Sequence, residues 1–244
     1  MTPDTRPQPS RESAQFAEQV QGMFGRVAAR YDLLNTVMTA GLHHRWRERA
    51  ADRAEVGPGD AVLDVCCGTG DLALELAGRV APNGHVVGCD FSEPMLDLAR
   101  DKASARDAAG VRFEWADALD LPYDASRFDA VTVGFGVRNL ADLSRGVSEM
   151  ARVLRPGGRL VILEITQPTR PPLSTFYSLW FDCIVPLLGS LSSASEAYSY
   201  LPESVRDFPP PPRLAEIMDG AGLERIRWTV LAGGIIAIHS GVAR

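Results

Sequence analysis

The chain has 244 residues, 45% hydrophobic and 23% charged, the mix of a globular protein whose core needs no disulfide staples. Its net charge of −6 excludes a broad basic face for nucleic acid. The four cysteines (Cys66, Cys67, Cys89, Cys183) make no C-x-x-C pair and no zinc spacing, which fits a reducing cytoplasm.

Residues 1–13 are polar, carry Pro3, Pro7 and Pro9, and read as a disordered tail with no signal peptide. No run of ~18 apolar residues is present to span a membrane. Residues 14–55 read as a helical cap, with Phe16, Val20, Met23, Phe24 and Val27 at helical intervals, a break near Tyr31-Asp32 and a helix resuming at Trp46. Then strands and helices alternate: strands at 61–65, 85–89, 111–115, 128–133 and 159–164, helices at 71–80, 93–103 and 143–153. Ser92 is the expected N-cap of the second of these helices, and Pro156-Gly157-Gly158 the stop of the third. Residues 167–212, rich in aromatics, prolines and serines, read as a lid inserted over the sheet's ligand edge. A helix at 213–221 and strands at 224–230 and 234–239, punctuated by Gly233-Gly234, close the chain as a hairpin. The expectation is an α/β, Rossmann-like, mostly parallel sheet with a C-terminal antiparallel hairpin, in one domain over 14–244.

The chemistry sits where the first strand turns. Asp64-Val65-Cys66-Cys67-Gly68-Thr69-Gly70-Asp71 leads from strand to helix, and the second strand ends in Asp90, an acid that can grip both hydroxyls of a ribose. Gly68-x-Gly70-x-x-Ala73 with Asp90 about 20 residues on also satisfies the loose dinucleotide pattern, so an NAD(P)-dependent oxidoreductase stands as the alternative. Asp71 opposes it, because a carboxylate at the helix N-terminus repels a pyrophosphate. Asp64 inside the strand and Asp117-Ala118, which can pair with an adenine edge, oppose it as well. The ordered set of D-x-x-x-G-x-G, strand-end acid and Pro-Gly-Gly before the fifth strand resembles a class I S-adenosylmethionine methyltransferase.

Further motifs narrow the family. Tyr31-Asp32-Leu33-Leu34-Asn35 with Thr39, Gly41, His43 and Trp46 resembles one signature of the ubiquinone/menaquinone biosynthesis C-methyltransferases. Arg152 to Leu160 with Glu164, Gly134-Phe135-Gly136-Val137-Arg138-Asn139, and Gly189 to Leu201 with Glu203, Ser204 and Arg206 resemble three more. The likeness runs from about Phe24 to about His239. Leu34, Thr39, Thr166 and Gly134 depart from the pattern, and Gly134 removes a hydroxyl that the family often places near the cofactor.

The resemblance implies C-methylation of a prenylated quinol, demethylmenaquinol first, with S-adenosylmethionine as cofactor. The related reading is methylation of the ubiquinone precursor 2-methoxy-6-polyprenyl-1,4-benzoquinol, and a non-catalytic binding subunit is a third class. The implied cofactor residues are Thr69, Asp90, Asp117 and Ala118, beside Gly68 and Gly70, which the glycine turn itself offers. Ring methylation needs positioning, oxyanion stabilisation and a proton acceptor. Arg138 is the candidate to stabilise a phenolate and Asn139 to orient it, while Tyr31 and His43, then Asp32, are candidates to orient a water or take the ring proton. No metal is expected, since the four histidines show no ligand spacing beyond the pair His43-His44. A cytoplasmic protein is expected, with peripheral contact to the inner face of the cell membrane through the lid and with a homodimer left open.

Overall fold

In a computed structural model of the chain, the described residues are 20–22, 25, 32–33, 35–168, 202 and 204–244. The 1–13 tail, Tyr31 and most of the 167–212 insertion, with Cys183, fall outside them.

Among the described residues, strands β1 (Ala61–Val65), β2 (His85–Asp90), β3 (Val111–Trp115), β4 (Phe128–Gly134), β5 (Leu154–Ile165), β6 (Leu223–Leu231) and β7 (Ile236–Ala243) form one sheet. Its order is β3-β2-β1-β4-β5-β7-β6. β7 runs antiparallel to β5 and β6, and the other pairings are parallel. Helices α1 (Leu42–Ala54), α2 (Asp71–Val80), α3 (Glu93–Ala105), α4 (Leu143–Arg152) and α5 (Pro211–Gly220) cover it.

All five residues of β1 are buried, as a central parallel strand requires. Their pleat divides the core. Val62, with Val86, Ala130 and Val161, packs against Ala50, Leu72, Leu76, Leu96 and Ala99 of α1, α2 and α3. Leu63 and Val65, with Val87, Val131 and Ile162, pack against Val147, Met150, Leu214 and Met218 of α4 and α5. The strand order reverses between the parallel strands β1 and β4, and that crevice is where such sheets hold ligands.

Two expectations need correction, and a third, Ser92 as N-cap, holds in position without the capping bond. Pro156-Gly157-Gly158 does not stop α4, which closes at Arg152 with Val153 as its cap. β5 has begun by then: Leu154 pairs with Phe128 and Arg159 with Ala130, so residues 155–158 bulge out opposite Asp129. Ser92 occupies the N-cap of α3, but its hydroxyl accepts no capping bond, and its own backbone N–H donates to Asp90 Oδ1 at 2.9 Å. The closing strand starts at Ile236, after a tight turn at Ala232–Gly234, and runs on to Ala243.

Candidate active site

A cavity of about 310 Å³ opens at the carboxyl ends of β1, β2 and β4. Gly68, Thr69, Asp90, Asp117, Ala118 and Asn139 line it. Among the described residues Gly70, His43 and Arg138 are not part of that lining, and Tyr31 falls outside the described residues.

The two glycines of the loop serve different ends. Gly70 (φ +82°) packs against the fold: a Cβ there would lie 2.7 Å from Phe113 Cζ and 2.9 Å from Ala99 Cβ. Gly68 (φ +55°) would place a Cβ in open space, with no described atom within 4 Å. Cys66, a non-glycine residue, also adopts a left-handed conformation (φ 52°) at the strand's end. Burial pushes the thiols of Cys66, Cys67 and Cys89 up, so none is an activated nucleophile.

Asp90 Oδ2 accepts from the Gly68 amide at 2.9 Å, which ties the loop to the end of β2. Burial raises its carboxyl to about 6 against the pull of the amides of Ser92 and Gly68. Asp64 is buried deeper: burial raises it to about 7, opposed by the Thr132 hydroxyl, which donates to Oδ1 at 2.6 Å. Asp64 Oδ2 has no hydrogen-bond partner among the described residues. Phe91, Met95 and Trp115 add an apolar wall near Asp90, and Trp115 Nε1 is held by the Phe91 carbonyl at 2.9 Å. The sequence reading missed this wall and Thr132, although Phe91 directly follows the strand-end acid.

On the far side of the crevice, Phe135 (φ 62°) turns the chain after β4, and its ring lies 5.7 Å from the Arg47 guanidinium. Arg138 Nη1 donates to the Phe135 carbonyl at 2.6 Å and to Glu164 Oε1 at 2.8 Å, and the Arg138 amide donates to Glu164 Oε2 at 3.3 Å. The Arg138 side chain is 7% exposed and that of Glu164 1%, so this is a buried ion pair that clamps the turn carrying Asn139.

His43 is buried, and both ring nitrogens are engaged. Arg47 donates to Nδ1, so the ring's proton lies on Nε2, which donates to Thr36 Oγ1 at 3.2 Å. Burial and Arg47 lower His43 to about 4. Both nitrogens of this neutral ring are hydrogen-bonded, an arrangement that opposes its taking up a proton. Asp32 is likewise committed, accepting from Thr69 Oγ1 at 2.7 Å and from Lys102 at 2.6 Å. Asp71, read from sequence as a bare charge at the helix N-terminus, lies between Lys102 at 2.8 Å and Arg47 at 3.5 Å, which lower its carboxyl. Asp71 comes together with His43 and His44, their ligand atoms within 4.8 Å of one another. The histidine pair therefore has a third potential ligand that spacing did not reveal, but Arg47 and Lys102 supply the positive charge there.

S-adenosylmethionine fits the cavity. Open space stands over Gly68, and Asp64 Oδ2 is an orphaned acceptor for a cation. The strand order with this loop and strand-end acid is the architecture of a class I methyltransferase, an enzyme class that takes its methyl from S-adenosylmethionine. A solved SAM-dependent methyltransferase from Aquifex aeolicus shares the fold with a TM-score of 0.58 at 19% identity, over 81% of this chain and 89% of that chain.

The chain belongs to the ubiE/COQ5 methyltransferase family, whose model matches residues 12–243. It is 46% identical over 245 residues to the demethylmenaquinone methyltransferase of Deinococcus radiodurans, covering 100% of each chain. It is 41% identical to the ubiquinone/menaquinone biosynthesis C-methyltransferase UbiE of Ectopseudomonas mendocina, over 94% of this chain and 90% of that protein. Membership in a methyltransferase family sets aside the NAD(P)-dependent oxidoreductase.

Proposed function

We propose that the chain methylates a ring carbon of a prenylated quinol, with demethylmenaquinol as acceptor and S-adenosylmethionine as donor. The observation that carries this is the crevice between β1 and β4, where buried Asp64, its Oδ2 without a hydrogen-bond partner among the described residues, and Asp90 stand on one side and the clamped Asn139 turn on the other. The Deinococcus relative's name favours the naphthoquinol, and the Ectopseudomonas relative's name keeps the benzoquinol precursor as the second reading.

The cofactor supplies, when bound, an electrophilic methyl on a cationic sulfur. When the cofactor is bound, Asp90 would accept from its ribose hydroxyls, Asp117 and Ala118 would meet the adenine edge, and Asp64 would hold the cationic end. Gly68 leaves the backbone room to approach, Thr69 is tied down by Asp32 and Lys102, and Gly70 holds the loop against α3. Asn139 orients the phenolic oxygen of the acceptor. Arg138 acts through the turn: with its charge shared by Glu164, it positions Asn139 and lends a weaker field to the phenolate. With His43 and Asp32 committed to other bonds, a water held near the cap takes the ring proton, and Tyr31 is the candidate to hold it. The prenyl tail implies peripheral contact with a bilayer, and among the described residues no helix is long and apolar enough to cross one.

The test is transfer of labelled methyl from S-adenosylmethionine, with reduced demethylmenaquinone and the reduced benzoquinol precursor offered side by side. Label in the naphthoquinol supports the proposal, and label in both extends it to a shared enzyme. Cofactor binding with label in neither quinol removes the acceptor assignment.

A further inference from the structure

We propose that Lys102 is a positioning residue for methyl transfer, a latch that fastens the N-terminal cap to the glycine loop from behind the cavity. The proposal rests on the methyl-transfer reading above.

Lys102 lies in α3, and among the described residues neither it nor Asp32 lines the cavity. Its ammonium meets Asp32 Oδ2 at 2.6 Å, Asp71 Oδ1 at 2.8 Å and Thr69 Oγ1 at 2.9 Å. An ammonium has three N–H bonds, and three acceptors take them. Thr69 closes the ring by donating to Asp32 Oδ1 at 2.7 Å. Arg47, 3.5 Å from Asp71 Oδ2, brings the cluster to two cations against two carboxylates.

Three parts of the chain meet on this one ammonium: Asp32 of the cap, the junction of the loop and α2 at Thr69 and Asp71, and α3 itself. Thr69 and Asp71 line the cavity, so Asp32 and Lys102 reach the cofactor through them. An exposed ion pair does little, but here the Lys102 side chain is 23% exposed and that of Asp71 11%. Without the ammonium, Asp71 loses its nearest cation, and the cap loses its tie to Asp71 and α3 and keeps only the single Thr69–Asp32 hydrogen bond. The loop then has to be ordered when the cofactor arrives, and that ordering cost appears as lost affinity.

Calorimetric titration of S-adenosylmethionine into the full chain reads the latch without any quinol. Lys102→Met removes the donors while keeping most of the stem, and is expected to weaken cofactor affinity about tenfold. In turnover the KM for the cofactor should rise by the same factor, with kcat within about threefold of wild type. Lys102→Arg, which restores charge and donors, should return affinity to within about threefold of wild type. Asp32→Asn should weaken binding too, and the double variant should be no weaker than the worse single, because both break one latch. Lys102→Met within about twofold of wild type, or losses that add in the double variant, would overturn the proposal. If Lys102→Met does not fold, the more exposed Asp32→Asn decides: a loss of affinity sustains the latch, and unchanged affinity overturns it. A wild-type chain that fails to bind S-adenosylmethionine would overturn the methyl-transfer reading and the latch with it.

Discussion

The two sides of the crevice bury their carboxylates in opposite ways. On the β1–β2 side, the hydrogen bonds that Asp64 and Asp90 accept come from neutral donors: the Thr132 hydroxyl and the Gly68 and Ser92 amides. Burial lifts both acids to about 7 and about 6. On the β4–β5 side, Glu164 meets the Arg138 guanidinium at 2.8 Å. Among the described residues the two acids of the first side are in no ion pair, whereas the acid of the second has one, which serves to hold a turn. One sheet edge thus carries a binding surface and a scaffold side by side.

The largest effect should come from breaking the ion-paired side. Arg138→Ala strands Glu164 in the interior and should cost about 3–5 kcal/mol in urea unfolding. Pairing Arg138→Met with Glu164→Gln removes both charges and should recover much of that loss. A cost below about 1 kcal/mol for Arg138→Ala would mean that the ion pair does not anchor the turn.

Next come the glycines on the other side. Gly70→Ala drives a methyl into Phe113 and Ala99 and should cost about 1–3 kcal/mol of stability through overpacking. Gly68→Ala points into the cavity, so its larger effect should be on cofactor affinity, read by calorimetry. Equal effects of the two on stability would erase the distinction between packing and cradle.

A smaller effect concerns pH. A carboxyl whose folded pKa exceeds its unfolded value holds its proton better in the fold. Between the ordinary value of 3.8 and about 7, Asp64 therefore favours folding less and less as pH rises. Asp64→Asn should flatten that part of the stability profile of the ligand-free chain. The smallest change is Gly134→Ser, whose Cβ would lie 3.3 Å from Leu72 Cδ2 at the end of a flexible side chain. A stability change within about 1 kcal/mol is expected in thermal melts.

Much of the scaffold was legible because its signals are local. β1, α2 and β3 fall at the expected residues, each set by an apolar run and a neighbouring glycine, proline or acid. The Pro156-Gly157-Gly158 bulge was misread because proline and glycine mark an interruption without saying whether a helix or a strand is interrupted. At the site, the loop and Asp90 could be read from spacing, and the cavity does form around them. The partners of His43 could not: Thr36, seven residues away, takes Nε2, and only the folded cap shows that both nitrogens are occupied. Nor could the left-handed turns at Cys66 and Phe135, because neither residue is glycine and nothing in its type marks a positive φ.

The most direct test of the central contrast is S-adenosylmethionine binding followed by calorimetry from pH 6 to 8, in buffers of different ionisation enthalpy, for wild type and Asp64→Asn. If Asp64 awaits a cation, wild-type binding should release more protons than the variant near pH 7, and the wild-type affinity advantage should shrink as pH falls. Equal proton release and parallel pH profiles for the two proteins would contradict the account.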